Sequence, residues 1–327
     1  MVGVAVLNTC IFNSALIFEK IMIYTSENNW YSWSYGDGEH FGRQDLTNIQ
    51  PFHSHFGKYT GLVKTFKDET FKAAKSIVDH YPGMPIDLMV SGGIDSELIL
   101  RSFIGIKHPV NVKIFRYEND INIYDVSYAV IVCEQLHVPY TIIDFNLQRF
   151  YEQDAERISE QAQIDRPRML PQLKFLDYCD GLPIIGHADM WWFREHDDYT
   201  KKATWNMDDY EFDVGCDKYS MFLNRPAITE WFKWSPGLIL SYLELQWFKD
   251  LINDKYTGRL GVNSTKIIGY KELYPDMVKR VKKTGFEKID TIIGEVEKTL
   301  EAKYNGLPFR QTQTRSMDEL IKEIRGE

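Results

Sequence analysis

Residues Ile86–Glu97 read IDLMVSGGIDSE, and this stretch decides the fold. Ile86, Leu88, Met89 and Val90 form a short apolar run of the kind that makes a buried strand. Ser91-Gly92-Gly93 breaks the run. Ile94, Leu98, Ile99 and Phe103 then recur at helical spacing, so the order is strand, glycine turn, helix. Two residues without a Cβ let the backbone turn sharply and bring its N–H groups close to a ligand. The helix that begins near Asp95 points its unpaired N–H groups and positive dipole end into the same turn. The Ser91 and Ser96 hydroxyls complete an anion pocket of the right size for phosphate. A carboxylate in such a pocket would repel phosphate unless a cation lay between them. Asp95 is therefore read as a magnesium ligand, because Mg²⁺ on phosphates takes one or two carboxylates plus water. The turn lacks the lysine of a Walker A loop. The plainer alternative is a strand followed by a helix with Ser and Asp as caps.

Downstream, strands and helices alternate. VNVKIFRY (Val110–Tyr117) and VPYTIIDF (Val138–Phe145) read as strands and LPIIG (Leu182–Gly186) as a buried one. Asp125–Leu136 reads as a helix capped by Asp125, and 148–161 and 168–180 are expected to be helical. This alternation implies an α/β fold, a parallel sheet with helices on both faces. Ligands bind such sheets beyond the carboxyl ends of the strands. Ser91–Ser96, Arg116 to Glu118, Asp144 and Gly186–Asp189 are therefore expected at one rim.

Before this core, the spacing predicts an aromatic hairpin over Ile21–Tyr35, a loop over 39–60 and a helix over Leu62–His80. His53 and His55 have metal-ligand spacing, but no third ligand lies nearby in sequence. The apolar leader, residues 1–19, has no basic start and is interrupted by Asn8, Thr9, Asn13 and Ser14, so it reads poorly as a signal or anchor. Met22 is an alternative start. From Trp191 the chain is rich in tryptophan and is expected to be mainly helical, with a strong helix at Pro236–Asp250. Asp197-Asp198 and Asp208-Asp209 are read as solvated turns, and Arg315–Glu327 as a charged helix that frays. The expected divisions are 1–80, 81–190 and 191–327: an N-terminal β-containing extension, a nucleotide-binding core and a helical C-terminal region.

With 327 residues and 44% apolar side chains the chain can bury a real core. Its net charge of −9 argues against nucleic acid as the main partner. The four cysteines are scattered and without CxxC spacing, which fits a reducing cytoplasm rather than a zinc or iron–sulfur site.

SGGIDS at 91–96 resembles the SGGxDS loop of the N-type ATP pyrophosphatases, the PP-loop family, which includes asparagine synthetase, GMP synthetase, NAD synthetase and several tRNA-modifying enzymes. The resemblance implies ATP and Mg²⁺, cleavage between the α and β phosphates, and a loop that holds the departing pyrophosphate. GHADM (Gly186–Met190) is similar to the G-x-G-x-D-E turn of asparagine synthetases. It is one residue shorter and has Met190 in place of the acidic residue. Asp189 would then be a second metal ligand, and His187 would line the site or act as a base. Residues 264–289, STKIIGYKELYPDMVKRVKKTGFEKI, resemble that family's stretch K-x-x-L-R, L-P, R-x-K-x-x-F. Tyr270 stands where an arginine is usual, and one extra residue precedes Phe286. The resemblance assigns Lys282, with Lys283 as the fallback, to the α-phosphate, where attack builds negative charge. Backbone near Phe115 and Arg116 would meet the adenine.

The function implied is an AMP- and pyrophosphate-forming ligase. It would adenylate a carboxylate or carbonyl oxygen of a small molecule or amino acid, with ammonia or an amine then displacing AMP. Val2 stands where the family's glutaminase half would carry its cysteine nucleophile, which leaves ammonia from solution, a separate ammonia or amine donor, or a nucleophile other than ammonia. Two other readings stay open: a PP-loop enzyme that modifies tRNA or a nucleobase, and a module that binds ATP without turning it over.

Overall fold

The structure is a computed structural model. It describes residues 30–36, 44–45, 47–186, 192–194, 204–209, 212–246, 249, 258–260, 263–278, 280, 285–304 and 311–327. The leader, the first strand of the expected hairpin, His40 and Asp197-Asp198 lie outside these residues.

Strand β1 (Tyr31–Tyr35) pairs antiparallel with β2 (Phe52–Phe56), Tyr31 opposite Phe56 and Tyr35 opposite Phe52. The expectation of loop over 39–60 is corrected here. FHSHF alternates as a half-buried strand should: Phe52, Ser54 and Phe56 are buried, while His53 and His55 take the other face. The Tyr31 and Phe56 rings meet at 5.0 Å across the pair. Helix α1 (Phe66–His80) starts four residues later than its apolar spacing suggested. Thr65 is its N-cap, accepting from the Asp68 N–H at 3.2 Å, and Leu62 stays 83% exposed.

The core then runs β3 (Ile86–Met89), α2 (Ile94–Gly105), β4 (Asn111–Tyr117), α3 (Ile123–Gln135), β5 (Tyr140–Phe145), α4 (Leu147–Gln153), α5 (Ala155–Ala162), α6 (Leu170–Leu173) and β6 (Leu182–Ile185). The sheet order is β5-β4-β3-β6, every pair parallel. Alternation along the strands divides the core between two faces. Leu88, Val112, Ile114 and Ile184 pack with α1, α2 and α3, while Met89, Phe115, Tyr117, Phe145 and Ile185 pack with α4, α5 and α6. Asp125 does not cap α3. It lies inside the first turn, and the N-cap position belongs to Asn122, whose side chain bonds strand β4 instead.

The C-terminal part contains β7 (Trp192–Arg194), β8 (Thr204–Asp208), α7 (Phe212–Phe222), α8 (Pro236–Leu243), β9 (Gly258–Leu260), α9 (Asn263–Leu273), α10 (Asp290–Lys303), β10 (Thr312–Ser316) and α11 (Met317–Arg325). The expected helices are present. Between them lies a four-stranded antiparallel sheet, β10-β8-β7-β9, that the sequence reading did not foresee. Its strands are only three to five residues long, too short for a periodic signal. Helix α8 ends at Leu243, well before Asp250, with Ser235 as its cap. An isolated parallel bridge, Ile184 to Ile228, continues the core sheet beyond β6.

Two further expectations are corrected. Asp209 is buried rather than solvated, accepting from the Tyr35 hydroxyl at 3.1 Å and the Gln311 N–H at 2.9 Å. Burial pushes its carboxyl pKa up. The tail is also no fraying helix. Residues 312–316 are a strand, α11 opens with a Ser316–Glu319 capping box, and Leu320 and Ile324 are fully buried.

The same tail clasps β2. The Gln311 and Gln313 side-chain oxygens accept from the Phe52 and Ser54 N–H groups at 2.8 and 2.5 Å, and Glu323 accepts from the Phe56 N–H at 3.1 Å. Trp205, Trp231 and Trp234 are core residues. Among the described residues no helix is long and apolar enough to cross a membrane.

Candidate active site

Strand β3 ends at Met89, and the Val90 N–H still bonds to the Lys113 carbonyl at 3.1 Å. The chain then leaves the sheet between β4 and β6. This is where the strand order reverses direction, the place where open parallel sheets form a crevice. Gly92 takes φ +77°, a left-handed conformation that favours glycine. A Cβ there would also overlap the Asp125 carbonyl oxygen at the start of α3. Sequence spacing alone gave no hint of this second reason for glycine.

Helix α2 begins at Ile94 behind Gly93, and no side chain caps it. Its first-turn N–H groups, which have no partners within a helix, face the turn together with the exposed Ser91. Ser96 is buried. Its hydroxyl donates to the Gly93 carbonyl at 2.9 Å and lies 3.5 Å from the Ser91 oxygen. Gly186, at the end of β6, is tight against this helix start: a Cβ would come within 2.8 Å of the Ser96 Cα. The structure thus gathers Ser91, Gly92, Gly93, Asp95, Ser96 and Gly186 at one point of the carboxyl edge.

The Asp95 Oδ1 accepts from the Tyr270 hydroxyl at 2.8 Å. Tyr270 is fully buried and stacks on Phe66. Asp95 is a carboxylate of the kind that Mg²⁺ on phosphates takes as a ligand. No group of three or more His, Cys, Asp or Glu gathers for a metal among the described residues.

The adenine-side candidates sit at the ends of β4 and β5. Phe115 is buried, its ring stacked on Phe145 at 5.2 Å and 13°. The Asn122 amide donates to the Phe115 carbonyl at 2.9 Å, and its oxygen accepts from the Tyr117 N–H at 2.8 Å. Arg116 forks onto Asp144, Nε to Oδ1 at 2.5 Å and Nη2 to Oδ2 at 2.8 Å. This bond holds the Asp144 carboxyl below its ordinary range.

His187, Asp189, Lys282 and Lys283 lie outside the described residues. Arg280 is described, and sequence reasoning gave it no role. Its Nη1 donates to the Gly92 carbonyl at 2.6 Å, and its Nη2 pairs with Glu97. Glu97 also binds Arg101, and Arg101 reaches Asp276 at 2.7 Å. The available signal was the position of Arg280 in the third motif, two residues before Lys282.

No family model matches the chain, and no curated protein matches it. Among solved structures it is similar to an NMN synthetase from Francisella tularensis, with TM-score 0.32 and 13% identity over 70% of this chain and 92% of that one. It is also similar to an NH3-dependent NAD synthetase from Campylobacter jejuni subsp. jejuni NCTC 11168 in complex with the nitrate ion, with TM-score 0.32 and 14% identity over 74% and 95% of the two chains. A glutamine-dependent NAD+ synthetase from Acinetobacter baumannii in complex with ADP matches at TM-score 0.32 and 13% identity, covering 88% of this chain and 61% of that one. Likeness at that distance carries no argument about the reaction.

Proposed function

We propose that the chain is an ATP-dependent ligase that forms AMP and pyrophosphate. It adenylates a carboxylate or carbonyl oxygen of a small molecule or amino acid, and ammonia or an amine then completes the reaction. The observation that carries this reading is the SGGIDS turn, with left-handed Gly92 and an uncapped helix start at the crevice between β4 and β6.

In this reading Ser91 and the N–H groups around Gly93 and Asp95 receive the departing pyrophosphate. Asp95, with Asp189, would hold Mg²⁺, which would supply charge neutralisation for the departing pyrophosphate. Lys282 meets the negative charge that builds at the α-phosphorus as the acceptor oxygen bonds to it and the bridge to the β-phosphate breaks. His187 takes a proton from the incoming amine as AMP leaves. The end of β4, at Phe115 and Arg116, takes the adenine.

The test is ATP–pyrophosphate exchange screened over amino acids and other small carboxylates, with Asp95→Ala as the control. The expected result is exchange that depends on one acceptor and is lost in the control. Formation of ADP and phosphate by the wild type would overturn the reading.

A further inference from the structure

Arg280 touches the turn from behind. Its side chain is 8% exposed and its guanidinium lies 5.6 Å from the Tyr128 ring centre. Nη2 pairs with Glu97, itself 2% exposed, and Glu97 is shared with Arg101, which is held in turn by Asp276. Two arginines thus face two carboxylates, so the positive charge of Arg280 is balanced within the protein rather than offered to an anion.

What Arg280 does hold is a peptide plane. Its Nη1 donates to the Gly92 carbonyl at 2.6 Å. The described backbone has no cis peptide bond. In a trans peptide the carbonyl and the next N–H point in opposite directions. Anchoring the Gly92 oxygen on Arg280 therefore directs the Gly93 N–H away from Arg280, across the turn. A Gly-Gly peptide rotates at little steric cost, so nothing intrinsic to it prevents the reverse orientation. That orientation would set a carbonyl oxygen against a phosphate oxygen.

We infer that Arg280 is a positioning residue that selects the phosphate-binding orientation of the Gly92–Gly93 peptide, and that Glu97 holds Arg280 in place to do so. The ligand named, pyrophosphate, rests on the ligase reading; the peptide orientation rests on the geometry alone. Tyr270 acts in parallel on Asp95, so the segment from α9 to Arg280 sets both the donor and the carboxylate of the turn.

The experiment measures binding of magnesium pyrophosphate, and KM for ATP, on the full chain. The variants are Arg280→Ala, Arg280→Lys and the double variant Arg280→Ala/Glu97→Gln, which removes one charge of each sign. Arg280→Ala is expected to weaken pyrophosphate binding and raise KM for ATP by roughly tenfold or more, with KM for the acceptor little changed. Arg280→Lys, which keeps a donor for the Gly92 oxygen, should recover part of the loss. The double variant should stay weak. Wild-type affinity in the double variant would mean that Arg280 acts only through charge balance, and would overturn the inference. A crystal structure of the double variant decides the matter without ligand: a Gly92–Gly93 peptide that is rotated or divided between two orientations supports the inference, and an unchanged one overturns it. Failure of the wild type to bind pyrophosphate would sink the ligase reading while leaving that structural test intact.

Discussion

Gly92 and Gly285 make an instructive pair. They have nearly the same left-handed φ, +77° and +78°, and at each a Cβ would overlap a backbone carbonyl: that of Asp125, in the first turn of α3, for Gly92, and that of Ile121, just before α3, for Gly285. Gly92 sits in the turn that faces the crevice. Gly285 follows the segment that carries Arg280 and leads into Phe286, which packs against Tyr117. One glycine shapes a ligand surface, and the other seats the chain that supports it. Identical backbone requirements therefore serve different purposes, and conformation alone does not reveal which.

The largest expected effect separates them. Gly92→Ala should abolish detectable pyrophosphate binding and also lower stability, because a left-handed alanine costs roughly 1–3 kcal/mol before the overlap with Asp125 is relieved. Calorimetric titration beside thermal melting reads both. Gly285→Ala should lose stability by about the same strain, yet keep pyrophosphate affinity within roughly tenfold in the folded protein. Equal loss of binding in the two variants would break the distinction.

A smaller effect tests the supporting segment from its other end. Tyr270→Phe removes one hydroxyl from Asp95, a charge-assisted bond worth roughly 1.5–3 kcal/mol at most. The Mg²⁺ concentration for half-maximal exchange should rise several-fold while the melting temperature moves little. An unchanged Mg²⁺ response would remove Asp95 from the metal assignment.

The smallest effect is read on α3, whose first turn carries the Asp125 carbonyl that Gly92 approaches. Cys133 lies fully buried in α3, and burial pushes its thiol from 9.0 up to about 11. The folded state keeps the proton that the unfolded chain releases, so this group makes stability fall as pH rises from about 9 to about 11. Alkylation of the native protein at pH 8 should be slow at Cys133, and fast once the protein is unfolded in denaturant.

The parallel core was legible because its signals are local. IDLM, NVKIFRY and LPII are apolar runs of strand length, and a glycine pair cannot continue either a strand or a helix comfortably. Boundaries moved where capping overrode periodicity, as Thr65 did for α1. The antiparallel sheet was hidden because TWNMD and TQTRS are short, and their pairing joins residues about a hundred positions apart. In FHSHF the His-x-His spacing draws attention and the segment reads as loop, while the alternation of Phe52, Ser54 and Phe56 is the stronger message. Within the site, the turn was legible by residue type. The Arg280 and Tyr270 contacts were not, since each bridges more than 170 residues and no spacing rule reaches that far.

The clasp of residues 311–323 on β2 bears on how the molecule is made. The N–H groups of Phe52, Ser54 and Phe56 wait for partners that the ribosome supplies some 260 residues later. Until the tail is made, this strand edge lacks its covering partners, so the β1–β2 pair is open to edge-to-edge association with other chains.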